Sequence, residues 1–163
     1  MSATANRFLE SPIIPGTEIG SITIGDTRTT VISKIGKPLF ARPSSQKTVF
    51  RERFQYDGLS VAFEDSKVFM ITAEMGYVGA TKEGLIVGMS WDDLNRIYLG
   101  ITFQENKMLW YVSGINGLSI RIVRPPEPDE IPSMIPYVDE EYQVVDPKRA
   151  FVYSVSVHEL RYT

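Results

Sequence analysis

The chain reads twice along its own length, and this internal repeat limits what it can fold into more than any other feature. Ile22-Thr-Ile-Gly-Asp-Thr-Arg-Thr-Thr-Val31 aligns residue for residue with Leu85-Ile-Val-Gly-Met-Ser-Trp-Asp-Asp-Leu94. Further on, Asp57-Gly-Leu-Ser-Val-Ala-Phe63 aligns with Asn116-Gly-Leu-Ser-Ile-Arg-Ile122, in the same order. A repeated supersecondary unit buries its apolar face by stacking on its neighbour, so the two copies are expected to share one core.

Each copy opens with a short apolar strand, a glycine and a hydroxyl residue, then a helix. Thr27 and Ser90 stand where a side-chain oxygen can accept from an otherwise unpaired backbone N–H at a helix start. Ser90 with Asp93 approximates a capping box. Val31, Ile32 and Ile35 give the first helix an apolar face, and Trp91, Leu94, Ile97 and Tyr98 do so for the second. Gly36 and Gly100 fit left-handed helix ends, and Pro38 forbids continuation in the first copy.

Alternation predicts antiparallel strands after each helix. In copy one they run from Thr48 to Tyr56, Leu59 to Phe63 and Val68 to Ala73; in copy two from Lys107 to Ser113, Leu118 to Val123 and Phe151 to Glu159. In the last strand it places Phe151, Tyr153, Val155 and Val157 on one face, with Val152, Ser154, Ser156 and His158 on the other. The expected fold is therefore α+β: a tandem repeat of helix plus antiparallel strands, forming one curved sheet with two short helices packed on one face. The opposite face is left for solvent or a partner. At 163 residues and 43% hydrophobic, the chain fits a single domain spanning 1–163, with copy one at about 18–79 and copy two at about 82–162.

The copies differ in one place. Copy one closes its last hairpin over four residues, whereas copy two carries an acidic, proline-rich insertion at 124–150. Between Pro125 and Pro147 lie seven acids, Glu127, Asp129, Glu130, Asp139, Glu140, Glu141 and Asp146, with no Lys or Arg. A chain of net charge −3 thus carries −7 in this segment and about +4 elsewhere. Six prolines in the insertion disfavour regular structure, and a long irregular loop in a small domain is more often functional than a short one.

No residue set supports catalysis. With no Cys there is no thiol chemistry, disulfide framework, thiolate zinc site or cysteine-linked lipid. His158, the single histidine, lies in the last strand and reads as an ordinary strand residue. Asp92 and Asp93 fall in the first turn of a helix, where the dipole favours negative charge, which is a better account than a catalytic pair. Each glycine ahead of a helix stands alone, so no phosphate-binding loop is present. No catalytic, cofactor-binding or metal-ligating residues are assigned, and the chain is not expected to be an enzyme.

A net acidic chain lacks the basic surface that nucleic acid requires, and no stretch is long and apolar enough to span a bilayer. The first ten residues show neither a basic leader nor a continuous apolar run, so a cytoplasmic location is expected. What remains is binding to a protein partner. The segment Tyr137-Val-Asp-Glu-Glu-Tyr142 flanks three carboxylates with two aromatics and can pair with a basic cleft. The candidate partner-binding residues are Asp129, Glu130, Tyr137, Asp139, Glu140, Glu141 and Tyr142 in the insertion, and Trp110 and Tyr111 on a strand. Phe54 and Tyr56 are further candidates for a stacking surface, and strand core is the plainer reading for all four strand aromatics.

The stretch from Ile22-Thr-Ile-Gly-Asp-Thr27 through Val31, Ile32, Ile35 and Gly36-Lys-Pro38, followed by a Gly-Leu-Ser strand and repeated, resembles the tandem units of the β-lactamase inhibitory protein type. It is also similar to small outer-membrane assembly lipoproteins. The first resemblance implies an eight-stranded sheet with a concave face and loops that reach into an enzyme's active site. The missing cysteines set this chain apart from both families. Many bacterial immunity proteins look like small acidic domains of this general kind, so the expected function is an immunity or inhibitor protein that blocks a toxin domain with a basic active-site cleft. The alternatives are a non-catalytic scaffold or envelope-assembly module, and a metal-dependent enzyme built on the carboxylates of the insertion.

Overall fold

The computed structural model describes residues 7–46, 49–104, 109–123 and 150–160. A single 3₁₀ turn, Arg7–Glu10, precedes a two-stranded hairpin of β1 (Glu18–Ile19) and β2 (Ile22–Thr23). Helix α1 (Arg28–Ile35) is followed by β3 (Phe40–Gln46), β4 (Val49–Tyr56), β5 (Leu59–Glu64) and β6 (Lys67–Ala73). Helix α2 (Trp91–Ile97) is followed by β7 (Ile101–Gln104), β8 (Leu109–Val112), β9 (Leu118–Val123) and β10 (Phe151–His158). The chain is α+β, dominated by one antiparallel eight-stranded sheet in the order β3-β4-β5-β6-β10-β9-β8-β7. The last strand of each half meets the other in the middle.

The helices start where hydroxyl caps permit. Thr27 Oγ1 accepts from the Thr30 N–H at 3.2 Å, and Ser90 Oγ accepts from Asp93 at 3.1 Å. Each such cap contributes about 1 kcal/mol. The turns before them are wired alike. Gly25 donates to the Val68 carbonyl and Gly88 to that of Val152, both at 2.8 Å, while Val68 donates back to Asp26 and Val152 to Met89. Both glycines need the left-handed region, at φ +93° and +91°. The entry to each helix is thereby fastened to the closing strand of its own half.

Strand register sorts the side chains onto two faces. Tyr56, Leu59, Ala73, Val155, Ile120, Trp110 and Phe103 are successive partners across seven strands and share one face. Both helices pack on it. The Arg28 guanidinium of α1 lies over Phe54 at 5.6 Å, and Tyr56 donates its hydroxyl to the Gly36 carbonyl at 2.9 Å. On α2, Trp91 meets Trp110 edge to face at 5.0 Å. Val31 and Leu94, at equivalent places in the two helices, are fully buried in the same core as Val61, Phe63, Ile71, Leu118 and Val157. Burying one such side chain is worth roughly 1.5–3 kcal/mol. Arg28 also clasps Glu52, with Nη2 at 3.0 Å from one carboxylate oxygen and Nε at 2.9 Å from the other, which tethers α1 to β4.

Three expectations are corrected. Helix α2 does not end at Gly100: it stops at Ile97, and Tyr98 turns extended at φ −120°. The cause is the buried Tyr98 hydroxyl, anchored to Thr81 at 3.1 Å and to Glu83 at 3.3 Å. Gly100 instead admits close packing, since a Cβ there would lie 2.9 Å from that of Ser113. Two strands are added, β3 and β7, one at each sheet edge. Finally, a bulge in β10 between Val152 and Ser154 shifts the alternation, so Val152 is buried in the core and Tyr153 is not.

Among the described residues no helix is long and apolar enough to cross a membrane. The N-terminal segment closes the base of the core. Tyr77 donates to the Ser11 carbonyl at 2.6 Å and accepts from the Gly20 N–H at 2.9 Å, and Gly16 donates to Gly117 at 3.0 Å.

Two measurements check these packing assignments. Gly117 sits at φ +76° with Gly16 Cα only 2.4 Å from where its Cβ would be, whereas Gly25 has open space around it. Gly117→Ala is expected to cost about 3 kcal/mol in urea denaturation, against about 1 kcal/mol for Gly25→Ala. Equal losses would refute the close approach. Burial also pushes the hydroxyls of Tyr56 and Tyr77 up to about 12. As pH rises the unfolded chain loses these protons first, so stability holds below pH 10 and falls between about pH 10 and 12. Tyr77→Phe should flatten that fall, and an unchanged slope would exclude Tyr77 as its source.

Candidate functional site

The face away from the helices is built by the alternate residues of the same strands. Its central row is Gln55, Ser60, Thr72, Ser156 and Ser119, and the next row is Arg42, Arg53, Ala62, Met70 and His158. Small hydroxyl residues occupy its middle: Ser60, Ser119, Ser154 and Ser156 are buried. Thr72 and Ser156 hydrogen-bond hydroxyl to hydroxyl at 2.8 Å, directly across the pairing that joins the two halves.

Larger side chains stand around this middle. Tyr111 is half-buried and meets the buried His158 ring edge to face at 6.3 Å. Burial raises the Tyr111 hydroxyl above its ordinary value. His158 Nδ1 lies 3.2 Å from the Glu159 carbonyl.

A cleft of about 130 Å³ opens on this face between β4 and β9. Thr72, Ser154 and Ser156 line it, Met70, Leu109 and Tyr153 add apolar surface, and Arg53 and Arg121 bring two guanidinium groups. Glu74 is also present, its carboxylate accepting from Gln55 Nε2 at 2.7 Å. Tyr153 reaches the cleft because of the bulge in β10.

Among the described residues the charge of this face is net basic. Arg42, Arg51, Arg53, Lys67 and Arg121 project from it, against Glu64 and Glu74. Arg51 is paired with Glu64 at 3.0 Å. Arg42 and Arg53 are direct cross-strand partners, a like-charge juxtaposition that opposes folding.

The sequence candidates fall out as follows. Asp129, Glu130, Tyr137, Asp139, Glu140, Glu141 and Tyr142 lie outside the described residues. The insertion that holds them leaves from and returns to neighbouring strands, since Val123 and Phe151 are register partners. Trp110 and Tyr111 are parted by the pleat. Trp110 packs beneath α2 against Trp91 and Phe103, at 5.0 and 5.1 Å, while Tyr111 lies on the open face. Phe54 and Tyr56 are buried on the helix side, so they form no exposed stacking surface. Asp92 and Asp93 are exposed, and Asp93 pairs with Arg96 one turn on, at 3.0 Å. Among the described residues no three His, Asp or Glu side chains gather as a metal would require.

Sequence reasoning missed Arg53, Arg121 and Tyr153. Alternation in Arg51-Glu-Arg-Phe-Gln55 carries the first of these, because Phe54 and Glu52 face the helices and leave Arg51 and Arg53 on the open side.

No family model and no curated protein matches the chain by sequence. The fold is similar to the crystal structure of the uncharacterized protein yfeY from Escherichia coli, with a TM-score of 0.56 at 12% identity, over 90% of this chain and 99% of that one. At this identity the likeness concerns the fold alone.

Because the Arg42 and Arg53 charges face each other across the pairing, Arg53→Gln is expected to raise stability by roughly 0.2–0.5 kcal/mol, read as a small rise in the thermal midpoint. A fall of 1 kcal/mol or more would instead make Arg53 part of the structural framework.

Proposed function

We propose that the protein is a non-catalytic immunity or inhibitor protein of the bacterial cytoplasm, which binds a cognate toxin or enzyme and blocks its active site. The observation that carries this reading is the sheet face away from the helices, where Tyr153 lines a cleft with Arg53 and Arg121 and Tyr111 packs against His158, together with the acidic insertion that connects β9 to β10. Aromatic and arginine side chains on a rigid sheet are the usual anchors of protein interfaces. The insertion supplies carboxylates for a partner's basic cleft, and the face supplies guanidinium groups for acidic residues on its rim. Such opposed charges speed association and fix orientation.

We read the chain as a relative of the β-lactamase inhibitory protein type. We read the two halves as a tandem repeat that forms one curved sheet. Support comes from the paired glycine hydrogen bonds at Gly25 and Gly88, the matched caps at Thr27 and Ser90, and a strand order in which each half runs inward to the shared centre.

Co-expression with the product of the adjacent gene is the direct test, and a complex that survives gel filtration and relieves toxicity is expected. Reversal of Asp139, Glu140 and Glu141 to Lys should slow association by about tenfold to a hundredfold at low salt and flatten its salt dependence. Unchanged rates would remove the insertion from the mechanism, and no complex at all would sink the reading.

A further inference from the structure

We infer that the cleft on the open sheet face is a binding site for a single carboxylate group, gripped between Arg53 and Arg121. This goes beyond the blocking of a partner and does not depend on it.

The two arginines come from strands in different halves of the sheet, β4 and β9, yet line one cleft of about 130 Å³. No ion pair holds either of them among the described residues. Both are exposed, so their charge is available. By contrast, the nearby Arg51 is committed to Glu64. A guanidinium presents a planar fork of donors that matches the two oxygens of a carboxylate, and two that line one small cleft can share a single anion.

The floor is suited to the same ligand. Thr72 and Ser156 share one hydrogen bond at 2.8 Å, which uses one of their two hydroxyl protons and leaves the other to donate. Ser154 adds a further hydroxyl beside Arg121, its register partner. Glu74 sets the charge that the site accepts. Two guanidinium groups and one carboxylate leave a net charge of +1, which balances one carboxylate and falls short of a doubly charged phosphate. The Gln55 amide engages the Glu74 carboxylate at 2.7 Å and so competes for it with the arginines. Met70, Leu109 and Tyr153 supply apolar surface for the carbon chain behind the carboxylate.

A carboxylate of this kind comes either from a free small acid or from an Asp or Glu side chain of an acidic polypeptide. Titration of ¹⁵N-labelled full chain at constant ionic strength, with sodium acetate and separately with a capped Asp-Glu-Glu tripeptide, distinguishes the two. Saturable shifts are expected at the Arg53 and Arg121 Nε–H resonances and at the amides of Thr72, Ser154 and Ser156, with a Kd on the order of 1 mM for acetate. Tripeptide binding at least tenfold tighter assigns the site to a polypeptide, and equal or weaker binding assigns it to a free acid. Arg53→Gln and Arg121→Gln should each weaken binding at least tenfold with the amide spectrum otherwise preserved. Arg42→Gln, outside the cleft, should leave it within twofold. Repeating the titration on Asp139→Asn/Glu140→Gln/Glu141→Gln protein removes competition from these carboxylates of the chain. Non-saturable shifts in both backgrounds, or equal losses in the Arg42 and Arg53 variants, would overturn the assignment in favour of general attraction of anions to a basic face.

Discussion

Ile71 and Ala73 of β6 meet Val157 and Val155 of β10 at the centre of the sheet, and all four side chains are fully buried. This one antiparallel pairing joins two halves of four strands each, so the common core exists only while it holds. The helices depend on it too. At eight and seven residues, α1 and α2 are too short to persist unpacked. Each is fastened through Gly25 or Gly88 to β6 or β10, the same two strands that form the seam. Burial of Val31 and Leu94 beneath the helices and pairing of the valines at the seam are therefore parts of a single cooperative arrangement.

The seam also creates the open face. With both helices on one side, every strand presents its alternate residues to the other, and the middle of that side falls where the halves join. Thr72 from the first half and Ser156 from the second bond to each other there, and the cleft that collects Arg53 from one half and Arg121 from the other spans the same line. Neither half alone could build it. The insertion of the second half connects β9 to β10, and β10 is the strand that forms the seam with β6.

Much of this was legible in the sequence, because short-range chemistry announces itself. Thr27 and Ser90 read as caps and act as caps, and the Asp57-Gly58 and Asn116-Gly117 turns open strands as their alternation implies. What was hidden is set by tertiary context. Strand β3 contains Pro43 in a polar run, and an edge strand tolerates a proline that a central one would not, so its pattern looks like a loop. Strand β7 is four residues long, too few for alternation to show. The bulge at Tyr153 depends on how β10 meets β9, and it reverses the face of the residues before it. Alternation separates Trp110 from Tyr111 without saying which is covered, and only the position of α2 decides that Trp110 is. Arg53 and Arg121 are far apart in sequence, and nothing local to either reveals that they line one cleft.

Native-state hydrogen exchange across the seam tests the dependence of both halves on it most directly. The amides of Ile71 to Ala73 and of Val155 to Val157, together with Val61 in the first half and Ile120 in the second, should exchange only by global unfolding, with one shared opening free energy and one shared denaturant dependence. If the two halves instead opened at free energies more than about 2 kcal/mol apart, with one keeping its protection while the other exchanged, they would be separate folding units and the seam would not be what holds the structure together.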